Sequence, residues 1–574
     1  MQDLPPLTLH HRADHALQSM TLATLSDGAR RLASHFVGYA GKRPWLLCWI
    51  VAALIAIFQH GPMPMYSTRT LSVAWEMWTR HSFLVPYLNG LPYSDKPPLL
   101  LWLIHAGWAL GGVGDVWPRL LEVSLGAIQL VLVSKLAGRL FPERPQVAQA
   151  APWILLAFTY GFLFGLQIMY EVLLADCVLA ALLCLVPGAQ RESPRFGWLA
   201  LAVGLGLLAK GPVMLLHVAF PWLLGPYWNP WARRAYRRWY AQGALAMLGG
   251  CCILLGWALL AAWQGGAAYR QSLLFHQTAG RVVDAFAHAQ PFWWYLPLLP
   301  VLVFPFALWP RMWVALARLR LSSAPGLRFL LAWLGPVLLG FSLVSGKQAY
   351  YLLPEYAGLA MLMAAALMHL PAGHAGGQRW LSPWPLALLC AAAGTGLLVL
   401  GLAVSAERLA GSLLETVQPH AVPFGVLFLV LALVLPKAGR GELHRVAVTG
   451  LIATVAMQGL FTLSLWPAYD FMPVARILAS AEAGGHPVAN LESNDGQYTF
   501  LGRLTQPVTQ LHGLDALKAW SAAHPGGLVI TYPRSLSAED REHAVYIQPF
   551  RGISVAVWPA QAFVQAREQR LLED

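Results

Sequence analysis

The chain has 574 residues, 57% of them hydrophobic and only 11% charged, with 25 tryptophans, whereas an average soluble domain is about 25% charged. An ordinary soluble enzyme is excluded. The 39 Lys+Arg against 27 Asp+Glu give a net charge of +12, but no soluble stretch carries a basic stripe interleaved with aromatics, so no nucleic-acid partner is expected.

The apolar residues fall in blocks near the ~20 residues that cross ~30 Å of hydrocarbon as a helix, which predicts a polytopic, all-α membrane protein. Residues 1–43 are polar and show no short apolar core with a small-residue cleavage site, so they read as a cytoplasmic tail rather than a cleavable signal. The first span is 44–60, followed by a long outer loop, 61–116, with juxtamembrane helices. Within that loop the apolar stretch 97–112 is short for a span, and counting it would place Lys135, Arg139 and Arg144 outside; it is read as a helix on the outer membrane surface. Further spans are expected at 117–141, 148–166, 168–188, 197–210, 212–227, 241–263, 294–310, 329–345, 349–369, 383–404, 421–436 and 446–466, thirteen in all. The pair over 197–227 splits at Lys210-Gly211-Pro212, where Pro removes a backbone donor.

Sidedness follows from short basic loops, which stay cytoplasmic: Arg30, Arg31, Lys42 and Arg43; Arg233, Arg234, Arg237 and Arg238; Arg311, Arg318, Arg320 and Arg328; and Lys437, Arg440 and Arg445. An odd number of spans then puts the C-terminus outside. Residues 467–574 are mixed in composition, with strand-like runs at 528–532 and 553–558 and a helical stretch at 514–523, and predict a small outer α/β domain of sufficient size to hold a core. The six cysteines all lie in apolar blocks, which points to neither a disulfide framework nor a zinc knuckle.

With that topology the outer loops collect residues that a bare connector does not need. The first holds Tyr66, Arg69, Glu76, Tyr93, Asp95 and Lys96; the second holds His276, Arg281, Asp284 and His288; the third holds Lys347, Tyr350 and Tyr351. Lys210 sits at an outer helix end. Gathered at the outer rim, Lys96, Lys210, Arg281 and Lys347 make a site for an anion at headgroup depth, with Arg supplying a bidentate fork and Lys a point charge. Snorkelling to phospholipid headgroups accounts for each cation singly but poorly for four together. Glu171 and Asp176 lie in the outer half of the 168–188 span, Asp176 about 12 Å below its start at ~1.5 Å per residue. An ionised acid there requires a hydrated cavity; the alternative is a neutral or Arg-paired structural acid.

Asn89-Gly-Leu-Pro-Tyr93-Ser-Asp95-Lys96-Pro97-Pro98-Leu99, Pro118-Arg119-Leu120, Leu208-Ala-Lys210-Gly211-Pro212, the segment from His276 to Tyr295, and Lys347 through Tyr351 to Pro354 occur in this order. The set resembles the lipid A aminoarabinose transferases, relatives of the bacterial protein O-mannosyltransferases in the GT-C class of membrane glycosyltransferases. The likeness runs in order over about residues 45 to 370, with a similarly placed outer C-terminal domain; with the thirteen spans read above it implies a bacterial inner-membrane protein whose N-terminus is cytoplasmic and C-terminus periplasmic. It implies a polyprenyl-phosphate sugar donor and a periplasmic lipid or glycan acceptor. Lys96 and Arg281 would hold the donor phosphate, with Tyr93 and Tyr351 nearby and Lys210 and Lys347 lining the cavity. A divalent metal, zinc or magnesium, would be bound by Asp95 and His276, with water or substrate completing the shell; no nucleotide cofactor is expected. Asp176 matches a family carboxylate.

One departure bears on chemistry. The family's first outer loop carries an Asp-Glu-x-Arg motif whose Asp is the usual base; aligning on Arg69 and Ala74-Trp75-Glu76-Met77 puts Tyr66 and Ser67 at the two acid positions. Three readings follow: Glu171, Asp176 or Asp95 takes over deprotonation; the acceptor is a phosphate, already ionised; or the chain binds donor without transferring it. Loss of a general base costs ~10²–10⁴ in rate, which slows an enzyme without abolishing it. The rival class, a transporter for a lipid-linked sugar, commonly shows internal repeats and midplane charges, whereas here the charges cluster at one face.

Overall fold

A computed structural model describes residues 43–188, 193–273, 289–320, 324–370, 379–437, 441–491 and 494–573. The chain divides into a short unit ending at Val51 and a second running from Ala52 to Asp574. The first is described only from residue 43, just before helix Pro44–Ile57; the site lies wholly in the second.

Among the described residues, seven helices are long and apolar enough to cross a membrane: Val116–Leu140, Tyr236–Gln264, Pro325–Leu343, Ala349–His369, Trp384–Leu402, Leu413–Val434 and Glu442–Ser464. An eighth crossing arises if Pro145–Ala157 and Thr159–Gly165, bent by 70° at Phe158, count as one. The remaining expected spans are short or broken. Phe196–Lys210 and Val213–Leu223 are separated at Gly211, whose φ of 82° only glycine adopts without strain. The segment expected as one span at 294–310 is instead Tyr295–Leu302, a 3-10 turn at Phe306–Leu308 and helix Pro310–Arg318; Pro305, which lacks a backbone donor, falls in the break, and Pro310 opens the next helix. The 97–112 stretch forms helix Leu99–Gly111.

Two groups of arginines used as loop markers are placed differently. Arg237 and Arg238 belong to the first turn of Tyr236–Gln264 rather than to a loop. Arg311 is buried, its Nε 2.9 Å from Glu442 Oε2 and both side chains about 5% exposed. A buried arginine with a carboxylate partner reports helix packing, not sidedness. Arg139 and Arg119 instead cap helix ends: Arg139 donates to the carbonyls of Leu183 and Val186, and Arg119 to those of Ile57 and His60 while pairing with Asp115. Each cation thereby satisfies C-terminal carbonyls that have no partner within their own helix.

The first loop and the chain after Ser464 together build the part of the protein that carries the sheets. Helix Ser67–Thr79 is followed by a hairpin of β1 (Tyr87–Leu88) and β2 (Leu91–Pro92). Its turn residues Asn89 and Gly90 have φ of 53° and 80°, and the Glu76 carboxylate accepts both their N–H groups, at 2.5 and 2.8 Å. The C-terminal sheet holds β3 (Val488–Leu491), β4 (Thr509–Leu511), β5 (Leu528–Thr531), β6 (Tyr546–Phe550) and β7 (Ile553–Pro559) in the order β4-β3-β5-β7-β6. β3 runs parallel to β4 and β5, while β7 is antiparallel to β5 and β6. Along β7 the side chains alternate between two cores. Val555 and Val557 join Phe471, Val474 and Leu478, whereas Ala556 and Trp558 join Leu517, Trp520 and Phe563. Helix Met472–Ala483 thus covers one face, and Gly513–Ala523 with Ala560–Glu573 the other.

The sheet domain docks directly on the first loop. Ser72 Oγ donates to Gly496 O at 2.5 Å and accepts from Phe500 N at 3.0 Å. Trp75 Nε1 donates to Leu504 O at 2.8 Å, and Asn89 Oδ1 accepts from Val508 N at 2.8 Å while its Nδ2 donates to Val508 O at 2.9 Å. Trp108 stacks on Phe500 at 5.7 Å between ring centroids. The approach is close enough that a Cβ on Gly90 would lie 2.6 Å from Pro507 Cγ.

Candidate active site

Helix Ser67–Thr79 begins where Tyr66 ends an irregular turn, and the two residues at the expected acid positions part company there. Ser67 is buried. Its hydroxyl donates to Gln167 Oε1 at 3.1 Å and accepts from Ile168 N at 3.0 Å, fastening the first loop to the segment that leads into helix Tyr170–Leu185. Tyr66 turns into a cavity of about 270 Å³ lined by Arg69, Tyr93, Lys96, Tyr170, Glu171, Tyr350, Tyr351 and Arg551, among others. Its ring meets Phe164 and Tyr350 edge-on, at 5.9 and 6.3 Å, and Phe164 stacks on Tyr350. The result is an aromatic wall of the kind that packs against sugar rings or prenyl carbons.

The charged groups enter from four separate parts of the chain. Arg69 pairs with Asp495 at 2.8 Å, a contact between the first loop and the C-terminal domain. Lys96 follows the hairpin, and Tyr93 is held by a bond from its N–H to Pro86 O at 2.8 Å. Glu171, in the first turn of its helix, is ion-paired with Lys210 at 2.8 Å, both side chains being less than 10% exposed. The Lys210 ammonium also stands 4.7 Å from the centroid of Tyr351 and 6.0 Å from that of Tyr350, a cation–π arrangement that holds the pair against the wall.

Several expected site residues lie elsewhere. Lys347 does not line the cavity: its ammonium donates to the carbonyls of Gln290 and Val344, at 2.9 and 2.5 Å, and is 3% exposed. Burial pulls its pKa down from the usual lysine value, and its work is to hold the 345–347 loop against residue 290. Asp176 is also absent from the cavity. It sits one and a half turns beyond Glu171, buried, with neither carboxylate oxygen hydrogen-bonded among the described residues. Of the two span acids, only Glu171 reaches the site. Arg281 and His276 fall outside the described residues, so the metal pair proposed from Asp95 and His276 is represented by Asp95 alone. No group of three or more His, Cys, Asp or Glu gathers among the described residues. The metal site expected from Asp95 and His276 thus lies partly outside the described residues, and no step is assigned to a metal.

Several lining residues escaped sequence reasoning, among them Tyr170, Met65 and Arg551. Tyr170 and Met65 carry no motif, and Arg551 is separated from the first loop by most of the chain. Only its position in a two-residue turn, with φ of 50° at Arg551 and 81° at Gly552, marks it as unusual.

A multi-pass helical membrane domain with a cationic, aromatic-walled cavity beside an α/β domain defines a GT-C membrane glycosyltransferase. Residues 95–257 match the family described as dolichyl-phosphate-mannose-protein mannosyltransferase. The chain is 32% identical over 425 residues to the undecaprenyl phosphate-alpha-4-amino-4-deoxy-L-arabinose arabinosyl transferase of Pseudomonas paraeruginosa, covering 70% of this chain and 71% of that one. The corresponding Edwardsiella ictaluri transferase is 29% identical over 336 residues, covering 56% and 59%. The crystal structure of ArnT from Cupriavidus metallidurans bound to undecaprenyl phosphate superposes with a TM-score of 0.68 at 20% identity, covering 91% of this chain and 98% of that one. This chain belongs to the undecaprenyl-phosphate aminoarabinose arabinosyl transferase family.

Proposed function

We propose that this enzyme transfers a 4-amino-4-deoxy-arabinose unit from undecaprenyl phosphate to a phosphate group of a lipid A type acceptor. The reaction takes place on the periplasmic side of the bacterial inner membrane. The organisation is a cytoplasmic tail over residues 1–43, a transmembrane catalytic domain over 44–466 and a periplasmic α/β domain over 467–574, with the N-terminus inside and the C-terminus outside. The observation that carries the acceptor assignment is Tyr66. It faces the cavity at the position where an acidic base is expected, and the adjoining Ser67 is turned away and bonded.

A phosphate acceptor is ionised before it arrives, so its attack needs no proton removed. One of its oxygens attacks the anomeric carbon from the face opposite the leaving group. The bond from that carbon to the prenyl-phosphate oxygen breaks, and the electron pair leaves with the prenyl phosphate. Lys96 stabilises that departing anion, an electrostatic contribution that a water-poor cavity strengthens. Glu171, already paired with Lys210, positions the lysine and the aromatic wall rather than taking a proton.

The test is sugar transfer by purified protein from undecaprenyl-phosphate aminoarabinose to lipid A and to its dephosphorylated form, read by mass spectrometry. Transfer to the phosphorylated acceptor only, lost by at least tenfold in Lys96→Ala, is expected. Donor binding without transfer to either acceptor would overturn the reading.

A further inference from the structure

We propose that Arg551, at the tip of the β6–β7 hairpin, is the specificity-determining residue through which the C-terminal domain binds an anionic headgroup of the acceptor lipid. The inference rests on the acceptor reading above and assigns it a residue.

Among the cations lining or backing the cavity, Arg69 is paired with Asp495 and Lys210 with Glu171. Arg551 is different. Among the described residues no carboxylate lies within ion-pair distance of it; its contacts are the Met65 sulfur, 3.6 Å from Nη1, and the Phe550 ring, 5.5 Å from the guanidinium carbon. Neither contact uses the fork of N–H donors in a charge-matched way, and the side chain is exposed while still lining the cavity. An unpaired guanidinium in this setting suits a phosphate monoester, which it can hold bidentately.

The backbone points the same way. β6 and β7 are joined by Arg551 and Gly552 alone, since Phe550 pairs with Ile553. Such turns require positive φ at both central positions and favour Asn-Gly. Arginine at φ 50° is held in a left-handed conformation that costs an L-residue with a Cβ more than its ordinary one. A residue held at that cost with its charge unpaired has a use outside the turn. Lys96 enters the cavity from the first loop and Arg551 from the far end of the chain. Two cations of separate origin match two anions on separate substrates: the donor phosphate and the acceptor phosphate.

The experiment uses full-length protein in detergent and measures binding, which needs no turnover. Affinities for lipid A, for dephosphorylated lipid A and for undecaprenyl phosphate are compared in the wild type, Arg551→Asn and Arg551→Lys. Asn suits the turn and removes the charge; Lys keeps the charge and loses the fork. Wild-type protein is expected to prefer the phosphorylated lipid by about tenfold or more, the scale of one charge-assisted hydrogen-bonded contact. Arg551→Asn should abolish that preference, Arg551→Lys should retain part of it, and undecaprenyl-phosphate affinity, which also reports correct folding, should stay unchanged in both. A preference that survives in Arg551→Asn, or an equal loss of undecaprenyl-phosphate binding, would overturn the assignment. Transfer activity in parallel separates the two claims: preference without transfer sinks the proposed reaction, and transfer without an Arg551-dependent preference sinks this inference alone.

Discussion

The Glu171–Lys210 pair offers the sharpest test of how the cavity is held. Its atoms are 2.8 Å apart, the side chains are 5% and 8% exposed, and the ammonium faces the Tyr351 ring at 4.7 Å. Replacing one partner strands the other charge in a site with little water. Breaking a buried pair in this way costs about 3–5 kcal/mol, whereas replacing both members with uncharged side chains of similar volume is often nearly neutral. Glu171→Gln and Lys210→Met are therefore each expected to destabilise the protein by about 3–5 kcal/mol, and the double variant by less than either alone. Equilibrium unfolding in mixed micelles, followed by tryptophan fluorescence, measures all three. Because Glu171 lines the cavity, the double variant should regain stability without regaining transfer. Single replacements costing under about 1 kcal/mol, or a double variant equal to their sum, would show that the two groups do not depend on each other and would refute the reasoning.

Three further outcomes follow from the site. Ser67→Ala removes the partner of a buried Ile168 N–H, so unfolding experiments should register a loss of about 1–3 kcal/mol, and a change under a few tenths would show that the first loop is fastened elsewhere. Tyr66→Asp restores a carboxylate at the family position. If the acceptor is an ionised phosphate, its transfer rate should fall through charge repulsion, and a rise toward the ~10²–10⁴ typical of a general base would mean that a proton must be removed after all. Glu76 carries a pKa raised above its ordinary 4.5, burial being the largest cause and the Gly90 and Asn89 N–H groups and Arg80 opposing it. A raised folded-state pKa stabilises fully below 4.5 and loses that contribution as pH rises through the folded value. Thermal unfolding should accordingly show a wild-type loss of stability over that window that Glu76→Gln lacks, and parallel pH profiles would remove Glu76 as its source.

What was legible in the sequence was what local physics controls. The strand-like runs at 528–532 and 553–558 appear as β5 and β7, because period-two alternation and flanking turn residues act over a few neighbours. The break at Gly211 was readable for the same reason. Helix ends were less so: Tyr236–Gln264 extends past its apolar block to include Arg237 and Arg238, since arginine is a good helix former and composition marks only the part in hydrocarbon. The partners of Lys347 and Arg311 were not legible because a cation near a helix end looks the same in sequence whether it meets solvent, a carbonyl or a buried acid. Asp176 and Glu171 could not be ranked from spacing alone; only the start of the helix at Tyr170 decides which of them reaches the opening.

The same reasoning explains why the C-terminal domain is part of the site rather than an appendage to it. Helix Ser67–Thr79 presents Arg69, Ser72 and Trp75 to Asp495, Gly496 and Leu504, while the preceding residue, Tyr66, faces the cavity. The helix is too short to be stable by itself in water, so its orientation depends on what it packs against. One side is fixed by Ser67 on the Gln167–Ile168 segment and the other by the sheet domain. The position of Tyr66 is therefore set jointly by the membrane helices and the C-terminal domain, and Arg551 reaches the cavity from the same docked body. A domain that only tethered the chain would have no reason to place Asp495 against Arg69, and substrates that meet at this cavity meet the two ends of the sequence at once.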